Sequence, residues 1–344
     1  MRNLILVLLV PFLSNCRSTN YVTLTVTEPA PVTLPMSMKR IGIINRSLPG
    51  SKKPILEKVD EVLTAEGKNL DKDGSVKAMI GLNEELGKNE RLTDVQYLAG
   101  EKCEASNFGV FPEPLSWDRI AEICTKYQLD GLFSLESYDT DSKINYSTAN
   151  VLLKNPIGLK VPTIEHQAAA KTIIKTGWRI YDNNSRTIID EFNMTGNVSM
   201  TGKGINPVAA ASAITGRKEA VNQESYKLGQ SYAWSIEPYK TRVSRIYYVR
   251  GNDKFKTAKR RAQTGNWDGA AEMWTRETKN PNAKIAGRAL YNMAIIQEIR
   301  GNMEGAQDYA KQAYENFDNN RALQYLNVLK NRSKRLERLA YQRQ

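Results

Sequence analysis

One histidine, His166, and three cysteines, Cys16, Cys103 and Cys124, are all that 344 residues hold of those two types. A histidine-based triad or a multi-histidine metal site therefore has no residues to build it. The stretch Asn69 to Ile80 has Asn69, Asp71, Asp73 and Gly74 at calcium-loop offsets. Its closing position is Ile80 where a bidentate Glu is required, which leaves a turn and a helix start. Gly202-Lys203-Gly204 lacks both the spacing and the following Ser or Thr of a phosphate loop. Carboxylates are plentiful, yet no spacing singles out a catalytic pair. The expectation is a protein that is not an enzyme and uses no cofactor or metal. Acids are also short of bases, with 37 Asp and Glu against 49 Lys and Arg and a net charge of +12. That imbalance implies attraction to anionic surfaces.

The apolar run Leu4 to Val10 falls far short of the roughly 20 residues that a bilayer-spanning helix needs. It follows a basic Arg2 and precedes Leu13-Ser14-Asn15-Cys16, the layout of a signal peptide over residues 1–15. The junction resembles the lipobox of bacterial lipoproteins, with Asn15 departing from the usual small residue. The resemblance implies diacylglycerol on the Cys16 sulfur, cleavage before Cys16, and attachment to a membrane through that anchor. In such a compartment nucleic acid is not an expected partner. Arg17-Ser18-Thr19-Asn20 contains neither an acidic run nor an aspartate. By elimination this points to the periplasmic leaflet of the outer membrane, with the cell surface as the alternative. An oxidising compartment permits a Cys103–Cys124 disulfide. Cys124 lies in an apolar helical stripe, however, which favours two separate buried thiols.

The prolines and threonines of residues 16–38 read as an extended tether. Beyond it, Ile41-Gly42-Ile43-Ile44 reads as a buried strand, followed by a helix from Pro54 to Leu63 and another from Ser75 carrying Val76, Met79, Leu82 and Leu86. Residues 92–98 suggest a strand. Trp117, Ile120, Cys124 and Tyr127 then mark a helix that Ser116 can cap, and Leu132 to Glu136 a third strand. Alternating strands and helices favour helices packed on a sheet. Thr172–Tyr181 and Thr187–Thr195 form a hairpin across Asp182-Asn183-Asn184-Ser185. Residues 139–171 and 196–220, polar and irregular, read as long loops, and residues 221–239 as a helix. The 39–240 layout resembles the periplasmic domain of curli-secretion-channel lipoproteins in element order. The resemblance implies the fold; a membrane barrel would need long alternating strands that the two loop regions do not display.

Gly265-Asn266-Trp267-Asp268-Gly269-Ala270 recurs as Gly301-Asn302-Met303-Glu304-Gly305-Ala306, one helical-hairpin length later. The spacing resembles tetratricopeptide repeats, with a plain helical-hairpin bundle as the alternative. The fold class expected is thus α+β: an α/β sandwich-like domain with a mixed sheet over 39–240, then a small tetratricopeptide-like helical domain over 241–344 closed by a capping helix. The combination resembles uncharacterised lipoproteins of Bacteroidota-type bacteria. Three functions compete: an envelope lipoprotein that binds another protein, a component of a secretion or pore assembly, and a hydrolase of envelope polymers. Arg250, Lys254, Arg260, Arg261, Arg332, Lys334, Arg335 and Arg338 form two basic segments. They are either solvated faces or a docking surface for an acidic protein or anionic headgroups.

Overall fold

The described part of the expected tether 16–38, residues 18–38, is not a tether. In the computed structural model, which describes residues 18–47, 70–101, 111–154 and 158–343, Thr19–Glu28 is a ten-residue strand, β1. It pairs antiparallel along its whole length with β7 (Tyr239–Tyr248), from Thr19 opposite Tyr248 to Glu28 opposite Tyr239. The cause is local. Val22 and Val26 are buried and alternate with exposed Tyr21, Thr23 and Thr25, a period of two in β-branched residues. The prolines that suggested a tether begin only after the strand ends, and even there Ala30, Leu34 and Met38 are buried.

The chain divides into two compact units, one of residues 30–238 and one that joins the β1 segment to residues 239–343. In the first, a five-stranded sheet has the order β3-β2-β4-β5-β6. β2 (Arg40–Asn45) runs parallel to β3 (Asp94–Tyr97) and to β4 (Gly131–Lys154). β5 (Lys160–Asp182) is antiparallel to β4 and to β6 (Thr187–Gly204). Two helices, α1 (Leu70–Leu86) and α4 (Arg217–Ala233), cover one face, where Met79, Leu82, Val221 and Tyr232 meet Ile41, Phe133, Ile174 and Trp178. They approach to backbone contact. A Cβ on Gly229 would lie 1.9 Å from the Ala78 carbonyl oxygen, and one on Gly81 2.1 Å from that of Tyr226. On the other face α2 (Trp117–Tyr127) sets Ile120, Ile123 and Cys124 against Ile44, Leu132 and Tyr181, and Ser116 caps it by accepting from the Arg119 amide.

The described residues of the expected loops 139–171 and 196–220 are mostly strand and helix. β4 and β5 pair without interruption from Ser137 opposite Gly177 to Lys154 opposite Lys160, and β6 continues to Gly204 opposite His166. After β6 come a short helix α3 (Pro207–Ser212) and then α4. Residues 54–63, Cys16 and Cys103 lie outside the described residues.

The second unit stacks helices α5 (Asp253–Gln263), α6 (Trp267–Glu277), α7 (Ala283–Ile299), α8 (Met303–Glu315) and α9 (Asn320–Gln342) with the β1–β7 ribbon. Its core joins Val22, Tyr247, Phe255, Trp274, Leu290, Ile295 and Leu329. The unit therefore starts at Tyr239 and includes β1, a different division from a helical domain of 241–344 alone. Both copies of the repeated segment make one turn: Gly265 and Gly301 sit at φ 79° and 78°, a region glycine enters without strain. Asn266 and Asn302 then cap α6 and α8 by accepting from the Gly269 and Gly305 amides.

Candidate interaction surfaces

Past the Ser142–Thr172 pair, whose hydroxyls are 2.9 Å apart, the β4–β5 ladder continues for roughly 40 Å at about 3.3 Å per residue. Successive residues face opposite sides, so register assigns the faces. Ile144, Tyr146, Thr148, Asn150 and Leu152 share one with Ala170, Ala168, His166 and Ile164. This is the continuation of the face that α1 and α4 cover nearer the sheet centre, where Tyr138 bonds Ser225. There α3 takes over as cover. Ala168 and Ala170 pack on Ala210 and Ile214, and a Cβ on Gly202 would lie 2.2 Å from the Ala210 carbonyl oxygen. Beyond α3 the same face, uncovered among the described residues, sets apolar side chains among Thr148, Asn150 and His166: Tyr146 is 42% exposed, Ile164 57% and Leu152 62%. The opposite face carries Lys143, Asn145, Ser147, Gln167 and Lys171. There Glu165 accepts from Lys203 and from Gln167, and these bonds, Lys203 first, hold its carboxyl below the usual range.

This arm is the main feature that sequence reading misses. Its signal is an alternation diluted by Thr148, Asn150 and His166 on the apolar face and by alanines, whose burial needs only a close helix. His166 is strand, not loop, and Lys203 of the Gly-Lys-Gly segment is an ion-pair partner.

The eight basic residues all fall in the unit of β1 and 239–343, and several are committed internally. Arg335 Nε lies 2.8 Å from Glu28 Oε2, and Arg332 is 3.9 Å from Glu28 and 3.5 Å from Glu298. Lys254 pairs with Glu277 at 2.8 Å, while Arg261 donates to the Gly269 carbonyl and Arg260 to the Thr257 hydroxyl. Arg250, Lys334 and Arg338 are exposed. The stretch thus reads as part solvated face and part scaffold. A cleft lined by Tyr248, Lys284, Arg288 and Arg321 adds cationic side chains outside those segments.

Charged groups that are buried serve the fold. Glu136 accepts from Arg46 and from the Tyr181 hydroxyl, with Arg179 3.6 Å away. Arg46 and Arg179 also donate to the Glu113 and Pro112 carbonyls, fixing the segment before α2. Burial first, and then Glu136, push the Tyr181 hydroxyl up to about 12. Cys124 is buried, and desolvation followed by the nearby Asp130 and Asp182 raise its thiol to about 12, far from a reactive thiolate. Among the described residues no group of three His, Cys, Asp or Glu side chains is placed to hold a metal, and no helix is long and apolar enough to cross a membrane.

Residues 38–248 match the family model described as Domain of unknown function (DUF8603), and residues 256–331 that described as Domain of unknown function (DUF6340). No curated relative matches. Among solved structures, a PelC dodecamer from Paraburkholderia phytofirmans is similar at 9% identity and a TM-score of 0.23, covering 61% of this chain and 96% of that one. A neuraminyllactose-binding hemagglutinin homolog from Helicobacter pylori is similar at 10% identity and a TM-score of 0.25, covering 59% and 91%. Likeness at that level carries no argument about this chain.

Proposed function

This chain belongs to the DUF8603 family, and we propose that it serves as a non-catalytic envelope lipoprotein, held to the membrane by Cys16, whose sheet arm is its working contact surface. One observation carries the reading: β4 and β5 run past their helical cover and present Tyr146, Leu152 and Ile164 uncovered on a single face. Apolar side chains gathered at the end of a long arm mark a site of contact. The buried ionic groups support the same reading, since Glu136 is spent on fixing the segment before α2. The helical unit, with its tetratricopeptide-like repetition, offers a second surface for a protein partner, and exposed Arg250 and Lys334 suit an acidic one.

A pore or secretion assembly is the second reading, favoured by strand length. The distal parts of β4 and β5 exceed the 9–11 residues that about 30 Å of bilayer demands of a strand. Ring-shaped oligomers after detergent extraction would support it over a monomeric scaffold.

The contact reading is tested by cysteine accessibility in a Cys103→Ser chain that carries either Ile164→Cys or Lys227→Cys. In intact envelopes the cysteine at 164 should resist a maleimide that labels the one at 227, and both should react in purified protein. Equal labelling in envelopes would remove the arm as a contact surface.

A further inference from the structure

Between Asp141 and Glu165 the arm carries no acidic residue, while Lys143, Lys154 and Lys160 stand along it. At its distal end Leu152, Leu159 and Val161 are exposed by 62%, 61% and 41%. Lys154 and Lys160 face each other across the ladder on the face of Leu152, and Val161 stands on the opposite face, so the end is apolar on both sides. A surface meant only for water would not gather leucines at the end of a projection, and an acidic protein would be met by charge without so much apolar area. Apolar side chains beside a pair of ammonium groups, with carboxylates held further back, complement a bilayer whose headgroups are anionic. The leucines reach the acyl boundary and the lysines stay at the phosphates on their flexible stems.

We propose that the distal end of the β4–β5 arm, through Leu152, Leu159 and Val161 with Lys154 and Lys160, docks on an anionic lipid bilayer as a membrane contact separate from Cys16. This rests on the reading of the arm as a contact surface and names what it touches. Facing edges of the two strands pair to Lys154–Lys160, while their outer edges, which β2 leaves after Leu135 and β6 leaves beyond His166, hold the arm at headgroup depth, where water satisfies the backbone.

The test uses the full lipidated chain with Cys103→Ser and Leu159→Cys, labelled at 159 with an environment-sensitive dye and reconstituted in vesicles. One set is pure phosphatidylcholine; the other contains about a third phosphatidylglycerol. With the anionic lipid the dye should shift to the blue and be quenched by spin-labelled lipid rather than by aqueous iodide. Each lysine near an anionic surface favours the docked state by roughly fivefold. Lys154→Ala with Lys160→Ala should therefore lower the ratio of docked to undocked tips roughly 25-fold, and raised salt should act in the same direction. A dye open to iodide in both lipids overturns the proposal. So does a dye shielded from iodide and from the lipid quencher alike, which would mean that a second copy covers the tip. The contact reading fails separately, in the accessibility of residue 164 in envelopes, and the Cys16 anchor is read by flotation with neutral vesicles alone.

Discussion

Glu298 shows what a single buried charge does here. Arg245 donates to both of its carboxylate oxygens at 2.7 Å, and the Tyr325 hydroxyl donates at 2.5 Å, so one side chain ties β7 to α7 and α9. Truncation would leave Arg245 and Arg332 without that counter-charge. Glu298→Ala should cost about 3–5 kcal/mol, measured as a fall in the urea midpoint. Asp268→Ala, which removes the exposed partner of Arg300, should cost less than about 1 kcal/mol. Cys124, with its thiol near 12, should resist iodoacetamide at pH 8 until the chain unfolds. At this scale sequence reads partners close in the chain and misses distant ones. Ser116 capping α2 is legible because cap and amide are three residues apart. Arg332 and Arg335 look like solvent-facing charges because Glu28 lies some three hundred positions earlier.

Elements pack here by what their side chains leave out. Gly229→Ala would by itself favour helix α4 by about 1 kcal/mol, but the added methyl meets a carbonyl of α1, which has no rotamer to swing aside. Overpacking of that kind costs about 1–3 kcal/mol, so the substitution should lower the melting temperature despite better helix propensity. The same two helices carry a pH dependence. Glu85 accepts from Lys88, from the Trp234 indole and from Gln230, and these bonds, Lys88 first, depress its carboxyl. Its folded value lies below its unfolded value of about 4.3. Its contribution is therefore present above pH ~4.3 and is lost as pH falls through the lower folded value. Glu85→Gln should flatten the acid limb of stability against pH. The sheet centre and α2 are legible from period and caps, whereas the arm is not, because its cover at Ala168 and Ala170 is a short helix brought close by glycines.

In the whole molecule a strand near one end of the chain completes a unit built near the other. Val22→Ser with Val26→Ser should cost the helical unit about 3 kcal/mol, since two buried valines lose their transfer energy. Hydrogen exchange should then speed up in α5–α9 and stay unchanged in β2–β6. The alternation of Val22 and Val26 that makes β1 a strand is hidden in the sequence by the prolines that follow it, and no local signal says that its partner is β7. That nesting has a consequence in time. When the chain emerges N-terminus first, β1 is made early and must wait for β7, with an unpaired edge rich in valine and threonine. Closing a ladder across about 210 disordered residues is slow and costly. If residues 30–238 fold first, the Val32 amide and Ser235 carbonyl stand 2.8 Å apart and the remaining gap shrinks to about ten residues, a saving of roughly 2–3 kcal/mol in closure entropy. The inserted unit is in this sense a folding template for the one that surrounds it, and in refolding its signals should come first.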